Sequence, residues 1–207
     1  MPILFGGSFD PIHIGHILIA RDSLEILAED EVVFIPASRA PLKDSHGASA
    51  EDRLKMVEIA TEREEGFGIS DVEIRRGGTS YTVDTLRWFV QERGERPYLL
   101  LGSDSVLRLH LWKEPGEVVK LSKLAIVGRG YGPESVGAYL RERFPHLREG
   151  EDWVFLETRR VDVSATEIRE RLAKGLSVYC MVPDKVLEYI RERRLYNGRD
   201  ADRSRLR

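Results

Sequence analysis

Two histidines three residues apart, His13 and His16, close the run Gly6-Gly7-Ser8-Phe9-Asp10-Pro11-Ile12-His13-Ile14-Gly15-His16. The run follows a short apolar stretch and leads into a helical pattern. Two glycines after a strand let backbone N–H groups approach a ligand with no Cβ in the way. A helix that starts there offers unpaired N–H groups and the positive end of its dipole, which favour an anion. Histidines at this spacing face one ligand. Their N–H groups would donate to phosphate oxygens, or carry positive charge as a transition state gains negative charge. Zinc binding is a poor rival, because the other histidines are His46, His110 and His146 and no carboxylate stands at a matching spacing. Alone, the run also fits a glycine turn with two capping histidines.

A second phosphate-binding pattern lies about 150 residues further on, in Val163-Ser164-Ala165-Thr166-Glu167-Ile168-Arg169. Ser164 followed by Glu167 reads as a helix N-cap with a capping box. That explains these two residues but not Arg169. Ser164, Thr166 and Arg169 at one helix start make a clamp for a polyphosphate.

The elements that must position these groups alternate. Ile3–Phe5, Val32–Ile35, Ile69–Ile74, Leu99–Leu101, Leu124–Val127 and Trp153–Leu156 read as short buried strands. Between them, His16–Ala28, Glu51–Glu62, Val83–Arg93 and Glu134–Arg143 read as helices. Such alternation implies an α/β fold, a Rossmann-like, doubly wound parallel sheet. Ligands of these sheets sit beyond the strand C-termini, where the strand order reverses. If the sheet is built of two halves, the loops Gly6–His16 and Gly102–Asp104 share one cleft. After Ser164 the pattern is helical only. The expected organisation is a core over residues 1–163 and a small C-terminal helical subdomain over 164–207, ending in a charged tail from Asn197.

The 207 residues carry a net charge of −3. That excludes a surface devoted to nucleic acid, which needs a basic excess. The one cysteine, Cys180, cannot form an internal disulfide, and a reducing cytoplasm is the natural setting. It reads as a small buried apolar residue. No stretch is apolar and long enough for a membrane span. The Walker pattern GxxxxGK[ST] and a true GxGxxG are both absent, which weighs against a kinase or a dehydrogenase.

The first run resembles the nucleotidyltransferase signature GGxFxPxHxGH, and its His13-Ile14-Gly15-His16 also spells the HIGH motif of class I aminoacyl-tRNA synthetases. The second resembles the family's ISSTxIR, with Val163 and Ala165 as mild substitutions. Ser80-Tyr81-Thr82-Val83-Asp84-Thr85-Leu86, Leu101-Gly102-Ser103-Asp104-Ser105-Val106, the following Trp112, and Val182-Pro183-Asp184 through Tyr196 are similar to bacterial nicotinate-nucleotide adenylyltransferases. The likeness runs from Ile3 to about Tyr196.

The resemblance implies AMP transfer from ATP to nicotinate mononucleotide. It places His13, His16, Lys43 and Arg169 in catalysis. Gly6, Gly7, Ser8, Phe9, Gly102, Asp104, Arg129, Ser164 and Thr166 would hold ATP. Ser80, Tyr81, Thr82, Trp112 and Lys113 would hold nicotinate mononucleotide. A pyridine carboxylate suits this last group: the ring would stack on Trp112, and the carboxylate would meet a helix start capped by Thr82. Mg²⁺ is expected with ATP, with no metal cluster of the protein's own. The partners expected are these small molecules, with no nucleic acid and no membrane; self-association into a homo-oligomer is compatible with all of this.

Two positions depart from the family. Ala40-Pro41-Leu42-Lys43 stands where Pro-Pro-His-Lys is frequent, and Lys113 stands where an aromatic residue often follows the tryptophan. Structural readings remain beside the functional ones. Thr82 and Asp84 could simply cap a helix, Trp112 could be core or rim, Lys43 and Arg129 could be solvated, and Arg191–Arg194 reads as a solvated helix face. Rival functions are the same reaction on nicotinamide mononucleotide or on both substrates, a synthetase-like domain, and a non-catalytic nucleotide sensor.

Overall fold

The computed structural model describes residues 1–40 and 47–197. Lys43 and His46 lie outside the described residues, as does the tail 198–207.

The chain begins β1 (Ile3–Gly7), α1 (Ile14–Leu27), β2 (Val32–Pro36), α2 (Ala50–Thr61), β3 (Phe67–Ile69), α3 (Val72–Arg76) and α4 (Thr82–Arg93). It continues β4 (Tyr98–Gly102), α5 (Ser103–Val106), a 3₁₀ turn at Leu109–Leu111, α6 (Pro115–Leu121), β5 (Lys123–Val127), α7 (Pro133–Arg143) and β6 (Trp153–Leu156). Two helices end it, α8 (Ala165–Ala173) and α9 (Asp184–Glu192). The six strands form one sheet in the order β3-β2-β1-β4-β5-β6, and every pairing is parallel. This is the doubly wound sheet expected from the alternation.

Successive strand residues point to opposite faces, and the core divides accordingly. Ile3, Phe34, Leu100 and Ala125 pack on one face, with Ala20, Met56, Ile168, Val186 and Ile190 from the helices. Leu4, Ile35, Leu99 and Leu124 pack on the other, with Val83, Leu86, Val118 and Leu140. The C-terminal helices therefore share the first face's core and do not build one of their own. Tyr189 donates to Asp52 Oδ1 at 2.8 Å, and Arg193 Nε donates to the same oxygen at 3.2 Å, docking α9 on α2. Arg193 is thus more than part of a solvated face.

Two expectations are corrected. Ile69–Ile74 is not one strand: β3 ends at Ile69, and Val72–Arg76 is a short helix. Ser70 N–H still bonds Phe34 O at 2.9 Å, continuing the β2 edge, but Arg75 N–H bonds Asp71 O at 2.9 Å and closes a helical turn. The Asp71–Arg75 ion pair at 2.9 Å reinforces that turn. Cys180 is exposed, not buried. Its φ of 62° makes it the left-handed residue of a turn between Tyr179 and Met181, where backbone geometry and not side-chain volume sets the position.

The pairing of β1 with its neighbours is unequal. With β2 it runs from Ile3↔Val32 to Gly7↔Pro36, but with β4 it covers only Ile3↔Tyr98 and Leu4↔Leu99. The C-terminal halves of β1 and β4 therefore part. This is where helices leave to opposite faces, and a crevice opens there.

A fully buried cation ties the loops at that end. Arg53, on α2, donates from Nη1 to Ser8 O at 2.7 Å and from Nη2 to Ser38 O at 3.0 Å. It thereby spans the loops that follow β1 and β2. Replacing Arg53 with Met leaves two carbonyls without their donor and removes a buried charge. Urea unfolding of Arg53→Met should show a loss of about 3 kcal/mol. A loss under about 0.5 kcal/mol would mean that the loops hold each other without it.

Candidate active site

The crevice is a cleft of about 1110 Å³. Its floor is Phe5–Phe9 from β1 and its loop, with Leu100–Gly102 from β4. His13, Gly15 and His16 form one wall, Val127–Pro133 another, and Glu157–Thr166 with Arg169 the third.

Local geometry explains the glycines. A Cβ on Gly7 would stand 3.0 Å from the Phe9 ring. Phe9 has a φ of 45°, strained for a side chain of its size, and is held by edge-on packing against Phe5 and His16 at centroid distances of 5.4 and 5.1 Å. At 2 % exposure it serves as the hydrophobic seat of the loop, and the group it can offer a ligand is its backbone. Gly15 plays the corresponding part under the histidines, because a Cβ there would meet the His13 ring at 3.1 Å.

α1 starts at Ile14, two residues earlier than the periodicity suggested, so His13 is its N-cap and His16 lies in its first turn. The two rings stack with centroids 3.7 Å apart. His13 N–H donates to His16 Nδ1 at 3.2 Å, which places the proton of a neutral His16 on Nε2, across the ring. His13 is buried, and its Nδ1 has no hydrogen-bond partner. Burial, followed by the nearby positive charge of Arg129, lowers its pKa to about 4. His13 is therefore neutral at pH 7 and has one ring N–H to donate.

The helix carrying the second signature starts as expected. Ser164 Oγ accepts from Glu167 N–H at 3.2 Å. Arg169 donates from Nη1 to Asp10 O at 2.7 Å and from Nη2 to Thr166 Oγ1 at 3.2 Å. This joins the two signatures, although 159 residues separate their bonded members. Arg129 is exposed on the cleft wall, and its N–H is held by Ser103 Oγ at 2.8 Å.

Of the residues expected to bind ATP, Gly6–Phe9, Gly102, Arg129, Ser164 and Thr166 all line the cleft, as do His13, His16 and Arg169. Asp104 does not line it. Its Oδ1 is buried without a partner, tucked where a Cβ on Gly102 would be.

Ser80, Tyr81, Thr82, Trp112 and Lys113 do not line this cleft either. They gather on the opposite face, where Tyr81 and Trp112 pack on the second core cluster. Trp112 is half-buried, a rim residue. Lys113 Nζ reaches both carboxylate oxygens of Asp84 at 3.2 and 3.1 Å and lies 4.8 Å from the centre of the Tyr81 ring. The N-cap of α4 is Tyr81, not Thr82, and no side chain caps it, so Thr82 opens the helix. Ser80 Oγ accepts Ser38 N–H at 2.9 Å. Through Ser38 and Arg53 the two groups share one scaffold.

Sequence reasoning missed the wall formed by residues 157–162. Asp22 of α1 ties it down by accepting from Arg159 N–H and Nε at 2.7 Å each, with Nη2 close by. A buried acid on a helix asks for a partner, but nothing in the spacing names one 137 residues away.

Comparisons with known proteins bear on the family of the chain. A model of the cytidylyltransferase-like family matches residues 4–171. The chain is 54% identical over 168 residues to a probable nicotinate-nucleotide adenylyltransferase of Aquifex aeolicus, covering 81% of this chain and 100% of that protein. A second relative of the same description, from Herpetosiphon aurantiacus, is 39% identical over 93% of this chain and 96% of its own length.

The chain belongs to the nicotinate-nucleotide adenylyltransferases of the cytidylyltransferase-like family.

The fold also matches that of a Plasmodium falciparum nicotinic acid mononucleotide adenylyltransferase solved with NaAD. The TM-score is 0.77 at 19% identity, over 94% of this chain and 96% of that one.

The protonation state of His13 is directly measurable. Its folded pKa lies below the ordinary 6.5, so the unfolded chain takes up the proton first. The contribution of this group to stability is full above pH 6.5 and falls as the pH drops towards about 4. In the ligand-free protein, NMR titration of the His13 ring should give a midpoint near 4. A midpoint near 6.5 would show a solvated ring and contradict the stacked arrangement.

Proposed function

We propose that the protein transfers AMP from ATP to nicotinate mononucleotide, giving deamido-NAD and pyrophosphate as a step of NAD synthesis. The observation that carries this reading is the meeting of both signatures in one cleft, through the bond from Arg169 to Asp10. The family of the chain and the match to two relatives over nearly their whole length support the same reaction.

The attacking phosphate of the mononucleotide carries about −1.5 to −2 charges at neutral pH. It needs no general base. Its oxygen forms a bond to the α-phosphorus of ATP while the bond to the pyrophosphate oxygen breaks, in line. The task of the protein is to hold two anions together and to stabilise the charge on the α-phosphate and the leaving group. We assign the first part to the Gly6–Ser8 amides and the α1 start. His13 and His16 donate to the reacting phosphate. Arg169, Ser164 and Thr166 take the pyrophosphate end, and Gly102 with Arg129 takes the nucleoside side. Lys43, in the segment after β2, is assigned to phosphate by family resemblance alone. Asp104, outside the cleft lining, keeps its nucleoside assignment on the same ground.

On the other face, Trp112 offers a half-buried ring for the pyridine, and the uncapped start of α4 offers N–H groups to its carboxylate. Lys113 is already paired with Asp84, so the helix start supplies the preference for an acid over an amide. Mg²⁺ is the metal proposed to arrive on ATP. Among the described residues no group of three His, Cys, Asp or Glu is placed to hold a metal ion, and the cleft lining sets backbone amides and four arginines beside two carboxylates, Glu157 and Asp162. Such a site suits a metal carried on phosphate oxygens, where it would neutralise their charge. No described helix is long and apolar enough to cross a membrane. We place the enzyme in the cytoplasm, with small-molecule substrates.

Pyrophosphate release should be measured with ATP and Mg²⁺, on nicotinate mononucleotide and nicotinamide mononucleotide in parallel. A strong preference for the acid is expected. Equal rates would keep the reaction and overturn the α4 assignment, and no release on either would overturn the reaction. His16→Ala should lower kcat about 10²-fold with a smaller change in KM. Near-normal turnover would remove His16 from the chemistry.

A further inference from the structure

The end of the described chain returns to the catalytic loop. Tyr196 is partly buried, and its hydroxyl donates to Asp10 Oδ1 at 2.8 Å. Its φ of 62° is left-handed, a conformation that strains a side chain and needs contacts to hold it. Burial, together with the carboxylate of Asp10, raises the phenol pKa far above its ordinary value, so the hydroxyl remains a donor. Asp10 is 3 % exposed. Its carboxylate also accepts Gly47 N–H at 2.8 Å and Ala48 N–H at 3.1 Å. Its carbonyl accepts Arg169 Nη1 at 2.7 Å.

The contacts around Gly47 close the arrangement. A Cβ on Gly47 would lie 2.8 Å from the Tyr196 ring and 2.9 Å from Cδ of Arg169. The Tyr196 ring and the aliphatic stem of Arg169 therefore both lie against one bare α-carbon. Tyr196 thus meets Arg169 through two routes, by hydrogen bonds through Asp10 and by packing through Gly47. Removing either should loosen the guanidinium, which is otherwise held by bonds to one carbonyl and one hydroxyl and by a 3.9 Å ion pair with Asp10 Oδ2.

We propose that Tyr196 is a positioning residue for Arg169, holding the guanidinium at the pyrophosphate end of ATP from outside the cleft lining. The proposal rests on the assignment of Arg169 to that end of ATP. It gives the last residues of the helical subdomain a catalytic reason to dock, beyond the apolar packing of α9. It also gives residue 47 a reason to be glycine, since a Cβ there would meet both the Tyr196 ring and the Arg169 stem.

The test is a double-mutant cycle on the full chain, with kcat and both KM values read in the pyrophosphate-release assay. Tyr196→Phe keeps the ring and removes the hydroxyl. It should lower kcat/KM for ATP about five- to tenfold, the effect of one lost buried hydrogen bond, and leave KM for nicotinate mononucleotide within twofold. In an Arg169→Ala background the same substitution should cost less than twofold, because nothing remains to be positioned. Gly47→Ala should reproduce the ATP-side loss from the packing route, which keeps the question open to test should Tyr196→Phe fold poorly. An equal loss from Tyr196→Phe with and without Arg169 overturns the proposal, since the tyrosine would then act on overall stability. If Arg169→Ala costs activity and Tyr196→Phe costs none, the positioning role alone falls. If Arg169→Ala costs nothing, the phosphate assignment falls, and the proposal with it.

Discussion

Everything at the candidate site follows from where β1 and β4 stop pairing. Their ladder ends at Leu4↔Leu99, while β1 stays joined to β2 as far as Gly7↔Pro36. Beyond Leu4, the edge of β1 that faces β4 is therefore left unfilled at Gly6, in the middle of a buried parallel sheet. Unpaired backbone groups there must meet water or a ligand. A parallel sheet wound in both directions from its centre produces such an edge at one place only. The glycines then follow from the approach of a ligand to that edge, and the aromatic seat of Phe9 from the need to fix a loop with little regular hydrogen bonding.

A crevice made by divergence needs something to hold its rims together. Here the restraint is polar and buried. Arg53 binds the carbonyls of the loops after β1 and β2, while Asp10 binds the amides of Gly47 and Ala48 and, through its own carbonyl, Arg169. Buried charges add little net stability but are costly to leave half-paired, so they select one arrangement over its neighbours. An apolar fastening would allow the loops to slide by an ångström. That much freedom is what in-line transfer between two anions cannot tolerate.

The sequence was most legible where a local rule applies. Alternating apolar runs located the strands, because a parallel sheet buried on both faces leaves little alternative. The two signatures marked His13, His16, Ser164 and Arg169 because helix starts bind anions through backbone groups whose position is known from the helix itself. It was least legible where partners are distant. Asp22 with Arg159 and Tyr196 with Asp10 are single hydrogen-bonding choices among many charged residues, made by the fold and not by spacing. The misread stretch Ile69–Ile74 shows a third limit. Its apolar residues fit a strand or one helical turn equally well, and the Asp71–Arg75 pair decided for the turn. Cys180 was placed inside by residue type, whereas a left-handed turn put it outside.

The electrostatics of the cleft bear on how an anion would be held there. Arg129, Arg159, Arg160 and Arg169 all line it, and burial strips His13 of its proton. A charged His13 beside Arg129 would add repulsion to desolvation. The neutral imidazole avoids both costs and keeps its donor. A bound triphosphate would offset the repulsion from Arg129 and favour the protonated ring, while burial would continue to favour the neutral one. Any proton taken up then is bound only with the ligand present, so it belongs to binding and to the transition state and not to the resting protein. A histidine that was already charged would have spent that interaction on holding the empty cleft together. A neutral His13 thus leaves its interaction with an anion to be made on binding.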